Sequence, residues 1–191
     1  MFLGLNRDMK ISKLLQPKIF IKNIDGRLYT GKPIPSPVGL HQIKKLGVTQ
    51  VIDLREDAFW KKLWERINCN LMGIKYKNIK VKTHTLNIPN IDFFNNINSL
   101  ITSNKGNTYL HCKYGKHRTG MCVAAYEKDV LKKNPLNVYI SLTNRFSEIS
   151  GLSKTNKEIQ KKLKVIYYKF VNLYHLNDGN KSTRIYINKP V

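Results

Sequence analysis

The chain has 191 residues, 34 of them Lys or Arg against 12 Asp or Glu, which gives a formal net charge of +22. That length fits one domain, able to bury about 70% of its unfolded surface. No apolar run approaches the roughly 18 residues of a membrane span, and the opening Met1-Phe2-Leu3-Gly4-Leu5 is too short for a signal peptide. The expected location is therefore cytoplasmic.

In chain order, Phe20 to Ile24 and Arg27 to Thr30 read as short strands around a turn at Asp25-Gly26. Gly31 to Pro37 is a loop whose end starts a helix, with Ser36 at the N-cap and Pro37 at the first helical position, and Gly47 stops it. Thr49 to Leu54 is a buried strand by its β-branched content. Ala58 to Met72 is helical, with Phe59, Leu63 and Ile67 at i, i+4 and i+8 as the expected apolar face. Tyr76 to Val81 and Thr85 to Ile88 are strand candidates. Ile91 to Ser103 is helical through Phe94, Ile97, Leu100 and Ile101, and Asn107 to His111 is a strand. Met121 to Lys133, Leu136 to Phe146 and Thr155 to Tyr174 are helical, and Arg184 to Ile187 is a short strand in a basic tail. Strand–helix alternation followed by helices predicts a single-domain α/β fold, its central, mainly parallel sheet flanked by helices. No linker or internal repeat divides it.

The charge excess attracts polyanions: nucleic acid, an acidic membrane, or a multiply phosphorylated ligand. A lysine- and asparagine-heavy composition is the plainer source of the same charge. Cys69, Cys112 and Cys122 have neither metal-ligand nor disulfide-framework spacing, and an odd count suits a reducing compartment.

The chemistry concentrates in His111-Cys112-Lys113-Tyr114-Gly115-Lys116-His117-Arg118-Thr119-Gly120. A strand, a tight loop and a helix N-terminus form an anion cradle of inward N–H groups reinforced by the helix dipole. Cys112 opens the cradle, where a thiolate is favoured. Gly115 supplies a backbone shape that a β-carbon would obstruct. Arg118 can grip two phosphate oxygens with its planar fork. Thr119 places a hydroxyl near the sulfur, and Gly120 permits close packing of the helix start. His111 either supports the thiolate or serves as a buried structural group. Lys113, Lys116 and His117 offer up to three further positive charges, more than one phosphate needs.

This stretch resembles the signature loop of the cysteine-dependent protein tyrosine/dual-specificity phosphatase superfamily, most closely the plant and fungal atypical dual-specificity phosphatases, whose loop has the pattern Cys-Lys-x-Gly-Lys-His-Arg-Thr-Gly. Leu28 to Pro33, Leu46 to Glu56 and Asn87-Ile88-Pro89 are similar to that family's first strand and turn, its Leu-Gly…Leu-Arg strand and its Asn-Ile-Pro turn. The resemblance implies a catalytic domain over residues 18–175, between an N-terminal extension (1–17) and a basic C-terminal tail (176–191). It also implies a two-step hydrolysis of phosphate esters that needs no metal or organic cofactor. Cys112 is the nucleophile, Arg118 and the loop amides from Lys113 to Thr119 hold the phosphoryl group, and the substrates are phosphotyrosine proteins or inositol (pyro)phosphates.

The family's usual general acid follows Asn-Ile-Pro as an Asp. Here that position is Asn90, which cannot donate a proton as an acid. Asp92 is either the acid displaced by two residues or a helix-start carboxylate stabilised by the dipole; His84 is a third candidate. Phosphoanhydrides leave more readily than alcohols, so the substitution favours polyphosphate substrates. Two alternatives compete with this reading: an RNA 5′-triphosphatase, suited to the charge, and a catalytically weak phosphate-binding module, suggested by Asn90. In the last predicted helix Ile159, Leu163, Ile166, Phe170 and Leu173 form an apolar face opposite Lys154, Lys157, Lys161 and Lys164. This is a core stripe with a solvated back, or a contact for RNA or an acidic membrane. Cys122 is expected to be buried packing, Cys69 is a conceivable redox partner for Cys112, and Asp53 and Arg55 are expected to be structural residues at a sheet end.

Overall fold

The computed structural model describes residues 21–34, 36–56, 59–81 and 89–147. The predicted strand at 85–88, the helix at 155–174, the strand at 184–187, the two terminal extensions and His84 lie outside the described residues.

Strands β1 (Ile21–Asn23) and β2 (Leu28–Gly31) pair antiparallel, Ile21 opposite Gly31. Their turn is held by Asp25, whose Oδ1 accepts from the Arg27 and Leu28 N–H groups at 3.0 and 2.9 Å, an Asx turn of the kind that Asp-Gly favours. Helix α1 (Pro37–Lys45) is capped as expected: the Ser36 hydroxyl accepts from the Gly39 N–H at 3.2 Å, with Pro37 in the first turn. Then follow β3 (Val48–Asp53), α2 (Phe59–Leu71), β4 (Lys75–Asn78), α3 (Ile91–Thr102), β5 (Asn107–His111), α4 (His117–Asp129) and α5 (Pro135–Ser147). The five strands form one sheet in the order β1-β2-β5-β3-β4, parallel except for the β1–β2 hairpin.

Side-chain alternation along β3 and β5 decides where the chemistry falls. Val51 pairs with Tyr109, Ile52 with Leu110 and Asp53 with His111. Val51 and Tyr109 enter the core that includes Leu40 and Ile43 of α1 and Cys69 of α2. Ile52 and Leu110 enter the other core, built with Phe94, Ile97 and Ile101 of α3, Met121 to Tyr126 of α4, and Val138 and Leu142 of α5. The sheet is thus covered on both faces, as a parallel sheet requires. Asp53 and His111 share the α1/α2 side by the same alternation. Cys112, one step on, belongs to the opposite core.

Two expectations are corrected here. Helix α2 forms where predicted, but of its expected apolar face Phe59 and Ile67 are 67% and 42% exposed and Leu63 is only half-buried, while its buried residues are Glu65, Asn68 and Cys69. A carboxylate needed beneath the sheet end fixes the helix rotation, overriding the hydrophobic pattern. Helix α4 begins at His117, four residues before the predicted Met121, so Arg118, Thr119 and Gly120 are its first turn rather than loop. The close approach expected at Gly120 is present, since an added β-carbon would meet Leu142 Cδ1 at 3.1 Å.

Asn90 is the N-cap of α3, its Oδ1 accepting from the Phe93 N–H at 3.1 Å. Substituting Asn90→Ala should destabilise the protein by about 1 kcal/mol, lowering the melting temperature by roughly 2–4 °C in a thermal unfolding scan.

Candidate active site

Cys112 stands immediately after β5, and the next four residues turn over it before α4 starts. The turn requires glycine at 115. Its φ is +69°, and an added β-carbon would lie 2.2 Å from the carbonyl oxygen of Gly31, the last residue of the neighbouring strand β2. The loop is therefore pressed against the end of the sheet, with no room for a side chain at its apex.

Of the three cysteines, all free, Cys112 is the one whose thiol is shifted down. Burial of its sulfur raises the pKa. The hydroxyl and N–H of Thr119, the N–H of Tyr114 and the charge of Arg118 together outweigh burial and hold it below the ordinary 9.0. The Thr119 hydroxyl is buried without a nitrogen or oxygen partner among the described residues, which leaves it to the sulfur. Burial pushes the thiol of Cys69 up to about 12 and that of Cys122 higher still. Cys69 lies in the core on the other face of the sheet from Cys112, so the conceivable Cys69–Cys112 disulfide is blocked in this fold, while Cys122 is buried packing as expected.

Arg118 is buried, its guanidinium held from beneath by carbonyl oxygens. Nη1 donates to Leu54 at 2.9 Å and, at 3.5 Å, to Val81. These anchors leave the rest of the planar fork to meet a phosphoryl group. Tyr114 contributes its backbone N–H to the sulfur, while its ring is 59% exposed and lies under the Lys113 ammonium, 5.4 Å from the ring centroid. Lys116 is partly buried at the rim, and burial followed by the charge of Lys32 pushes its pKa down. Lys32, just beyond β2, is a basic neighbour of the loop that sequence spacing does not reveal; adjacent parallel strands bring it there. His117 is corrected as a cation: burial and Arg118 push its pKa down to about 4, so it is neutral at pH 7.

Behind the loop lies a buried charge network. The Arg55 guanidinium donates to both oxygens of Asp53 at 2.8 to 3.0 Å and also to Glu65. His111 completes it, with Nε2 3.2 Å from Glu65 Oε1 and Nδ1 3.7 Å from Asp53 Oδ1. The Tyr76 hydroxyl donates to Asp53 at 2.5 Å, and Glu65 Oε1 accepts from the Ile34 N–H at 3.0 Å. Burial pulls the His111 pKa down, but Glu65 first and then Asp53 outweigh it, so His111 is shifted up and favours the imidazolium. Asp53 is held below its ordinary range: burial raises it, while Arg55, His111 and Tyr76 lower it further. Asp53, Glu65 and His111 present three donor atoms within 4.8 Å of one another, a spacing a metal ion could use. Arg55 already sits between the two carboxylates and engages oxygens of both. The cluster therefore functions as an ion-pair network, with Asp53 and Arg55 in the structural role expected and Glu65 the member missed.

Asp92 lies in the first turn of α3, exposed and without an ion pair or hydrogen bond among the described residues. The geometry unites Cys112, Tyr114, Gly115, Arg118 and Thr119 and sets His111 behind them; among the described contacts none links Asp92 to this group.

A strand ending in a lowered-pKa cysteine, a glycine turn over it and an arginine in the first turn of the next helix define the tyrosine/dual-specificity phosphatase class. The chain belongs to the family described as "DSP-PTPase phosphatase fused to NAD+ Kinase", which matches residues 20–163. Membership makes it a phosphoric monoester hydrolase of that class. No curated protein sequence matches it. Among solved structures it is similar to TpbA of P. aeruginosa, with 16% identity, TM-score 0.56, 85% of this chain and 94% of that one covered. The catalytic core of Siw14, a PP-IP phosphatase of S. cerevisiae, is also similar, with 13% identity, TM-score 0.59 and coverage of 85% and 96%. PTPMT1 shares 16% identity at TM-score 0.57, with 83% and 100% covered. Structures of these proteins hold phosphotyrosine in TpbA, citrate in Siw14 and PI(5)P in PTPMT1. The likeness in fold thus includes proteins of P. aeruginosa and S. cerevisiae.

Glu65→Gln should destabilise the protein by about 3 kcal/mol or more, because Arg55 and His111 lose a buried counter-charge. The wild-type advantage is pH-dependent. A histidine whose folded pKa lies above its unfolded value of 6.5 contributes stability that is complete below 6.5 and is lost as pH rises through the folded value. Denaturant unfolding across pH should therefore show the gap between wild type and variant largest below pH 6.5 and narrowing above it.

Proposed function

We propose that this chain is a cysteine-dependent phosphatase acting through a phosphocysteine on a multiply phosphorylated substrate of the inositol (pyro)phosphate kind. The observation that carries the reading is the thiol of Cys112, lowered by the same helix turn that holds Arg118. In the first step Sγ attacks phosphorus in line. The S–P bond forms as the bond to the leaving oxygen breaks, and Arg118 with the loop N–H groups stabilises charge on the equatorial oxygens. In the second step water attacks the phosphocysteine, the S–P bond breaks, phosphate departs, and the sulfur returns to a thiolate stabilised by Thr119. His111, backed by Glu65 and Asp53, supplies positive potential behind the sulfur.

Two features support a substrate with several phosphates. Lys113 and Lys116 stand on the loop and Lys32 beside it, more cationic capacity than one phosphoryl group uses. Asn90, in the acid's usual position, is engaged as a helix cap; a phosphoanhydride departs as a stabilised phosphate anion and needs little protonation, whereas an alcohol or phenol leaving group would draw its proton from Asp92. Phosphotyrosine proteins are the second reading, favoured by the phosphotyrosine bound in the structurally similar TpbA.

Phosphate release from an aryl phosphate, a phosphotyrosine peptide, an inositol pyrophosphate and triphosphate-ended RNA discriminates the readings. Cys112→Ser should abolish all turnover. Lys113→Ala with Lys116→Ala should reduce kcat/KM on the pyrophosphate roughly tenfold for each lysine–phosphate hydrogen bond removed and leave the aryl phosphate nearly unchanged; equal losses remove the polyphosphate assignment. Preferred turnover of the RNA would make the protein an RNA 5′-triphosphatase, and release from no substrate would make it a binding module. Asp92→Asn should slow phosphotyrosine hydrolysis about a hundredfold while sparing the anhydride.

A further inference from the structure

Helix α2 buries Glu65, Asn68 and Cys69 and leaves most of its large apolar residues outward. Phe59, Trp60, Trp64, Ile67 and Leu71 are 67%, 76%, 54%, 42% and 80% exposed. Trp60, Trp64, Ile67 and Leu71 recur at helical spacing, so they form one continuous ridge. Scattered apolar residues are ordinary on a surface, but a contiguous ridge of this size marks an interaction site. Three basic residues, Lys61, Lys62 and Arg66, belong to the same helix, Lys61 and Arg66 exposed. The one acidic residue of the helix, Glu65, is buried and committed to Arg55 and His111, so the outward surface of α2 carries positive charge only. The helix follows β3, whose last residue Asp53 pairs with His111, so α2 starts at the sheet edge that carries the Cys112 loop.

We propose that this face of α2 docks the protein onto an anionic phospholipid bilayer. Charge complementarity selects that occupant. A chain of net charge +22 is attracted to an acidic leaflet and repelled by a second copy of itself. Tryptophan rings favour the headgroup boundary, and a helix with an aromatic and aliphatic face beside Lys and Arg is the pattern of an interfacial helix. Single-stranded nucleic acid would use the two indoles as stacking platforms but has no use for Ile67 or for Leu71, the most exposed member of the ridge.

The chain has two tryptophans, and both lie on this ridge, so their fluorescence reports on it without labelling. On mixing the full chain with vesicles of phosphatidylcholine and phosphatidylserine, the emission should move to shorter wavelength and the protein should sediment with the vesicles, far less so with phosphatidylcholine alone. Trp60→Ala with Trp64→Ala should weaken vesicle binding roughly tenfold or more, with the far-ultraviolet circular dichroism and the turnover of a soluble aryl phosphate unchanged. Three results would each overturn the proposal. Emission already blue-shifted and indifferent to vesicles would mean that the chain's own residues cover the ridge. A dimer that dissociates in the double variant, without vesicle binding, would assign the ridge to a second copy. An emission change with single-stranded RNA but not with vesicles would assign it to nucleic acid.

Discussion

The arrangement depends on one buried constraint, the ion-pair network of Asp53, Arg55, Glu65 and His111 behind the Cys112 loop. Charges taken out of water this completely must be paired, or the penalty is several kcal/mol each. Two carboxylates flank one guanidinium, and the second positive charge comes from an imidazole that its surroundings favour as imidazolium. His111 is the residue before Cys112, so the network fixes the end of the strand from which the cysteine loop departs. The loop itself lowers the thiol, through the Thr119 hydroxyl, two N–H groups and Arg118.

The network also accounts for the polarity of α2. A helix packed on a sheet normally buries its apolar stripe, but Glu65 must reach Arg55 and His111, and this orients Asn68 and Cys69 inward with it. The displaced apolar residues then have no core to enter and become the exposed ridge. One interaction beneath the Cys112 loop thus fixes both the strand end before that loop and an outer surface.

The loop was legible in the sequence because its determinants are local: a cysteine ending a strand, a glycine that must take a positive φ, and an arginine and threonine one turn into a helix. The hairpin turn at Asp25, the Ser36 cap and the strands β3 and β5 were legible for the same reason. Glu65 was not, because a helical reading counts apolar positions and assigns a lone carboxylate to solvent. Register was the missing information: only the pairing of Asp53 with His111 shows that both face α2. The early start of α4 was hidden because His-Arg-Thr-Gly is a poor helix opening by propensity, and the packing of the loop against Gly31 overrides it. Lys32 joins the loop through strand order alone, and Asn90, suspect as a missing acid, has a positive role as a cap.

The central claim is that this fold holds the Cys112 thiol below its ordinary value despite its burial. The rate of Cys112 alkylation by iodoacetamide, followed against pH in the intact protein by peptide mass spectrometry, measures this directly. The account predicts a half-maximal rate below the ordinary thiol value of 9.0, with Cys69 and Cys122 unreactive over the same range. A midpoint at or above 9.0 would contradict it, because burial would then have outweighed Thr119, Tyr114 and Arg118.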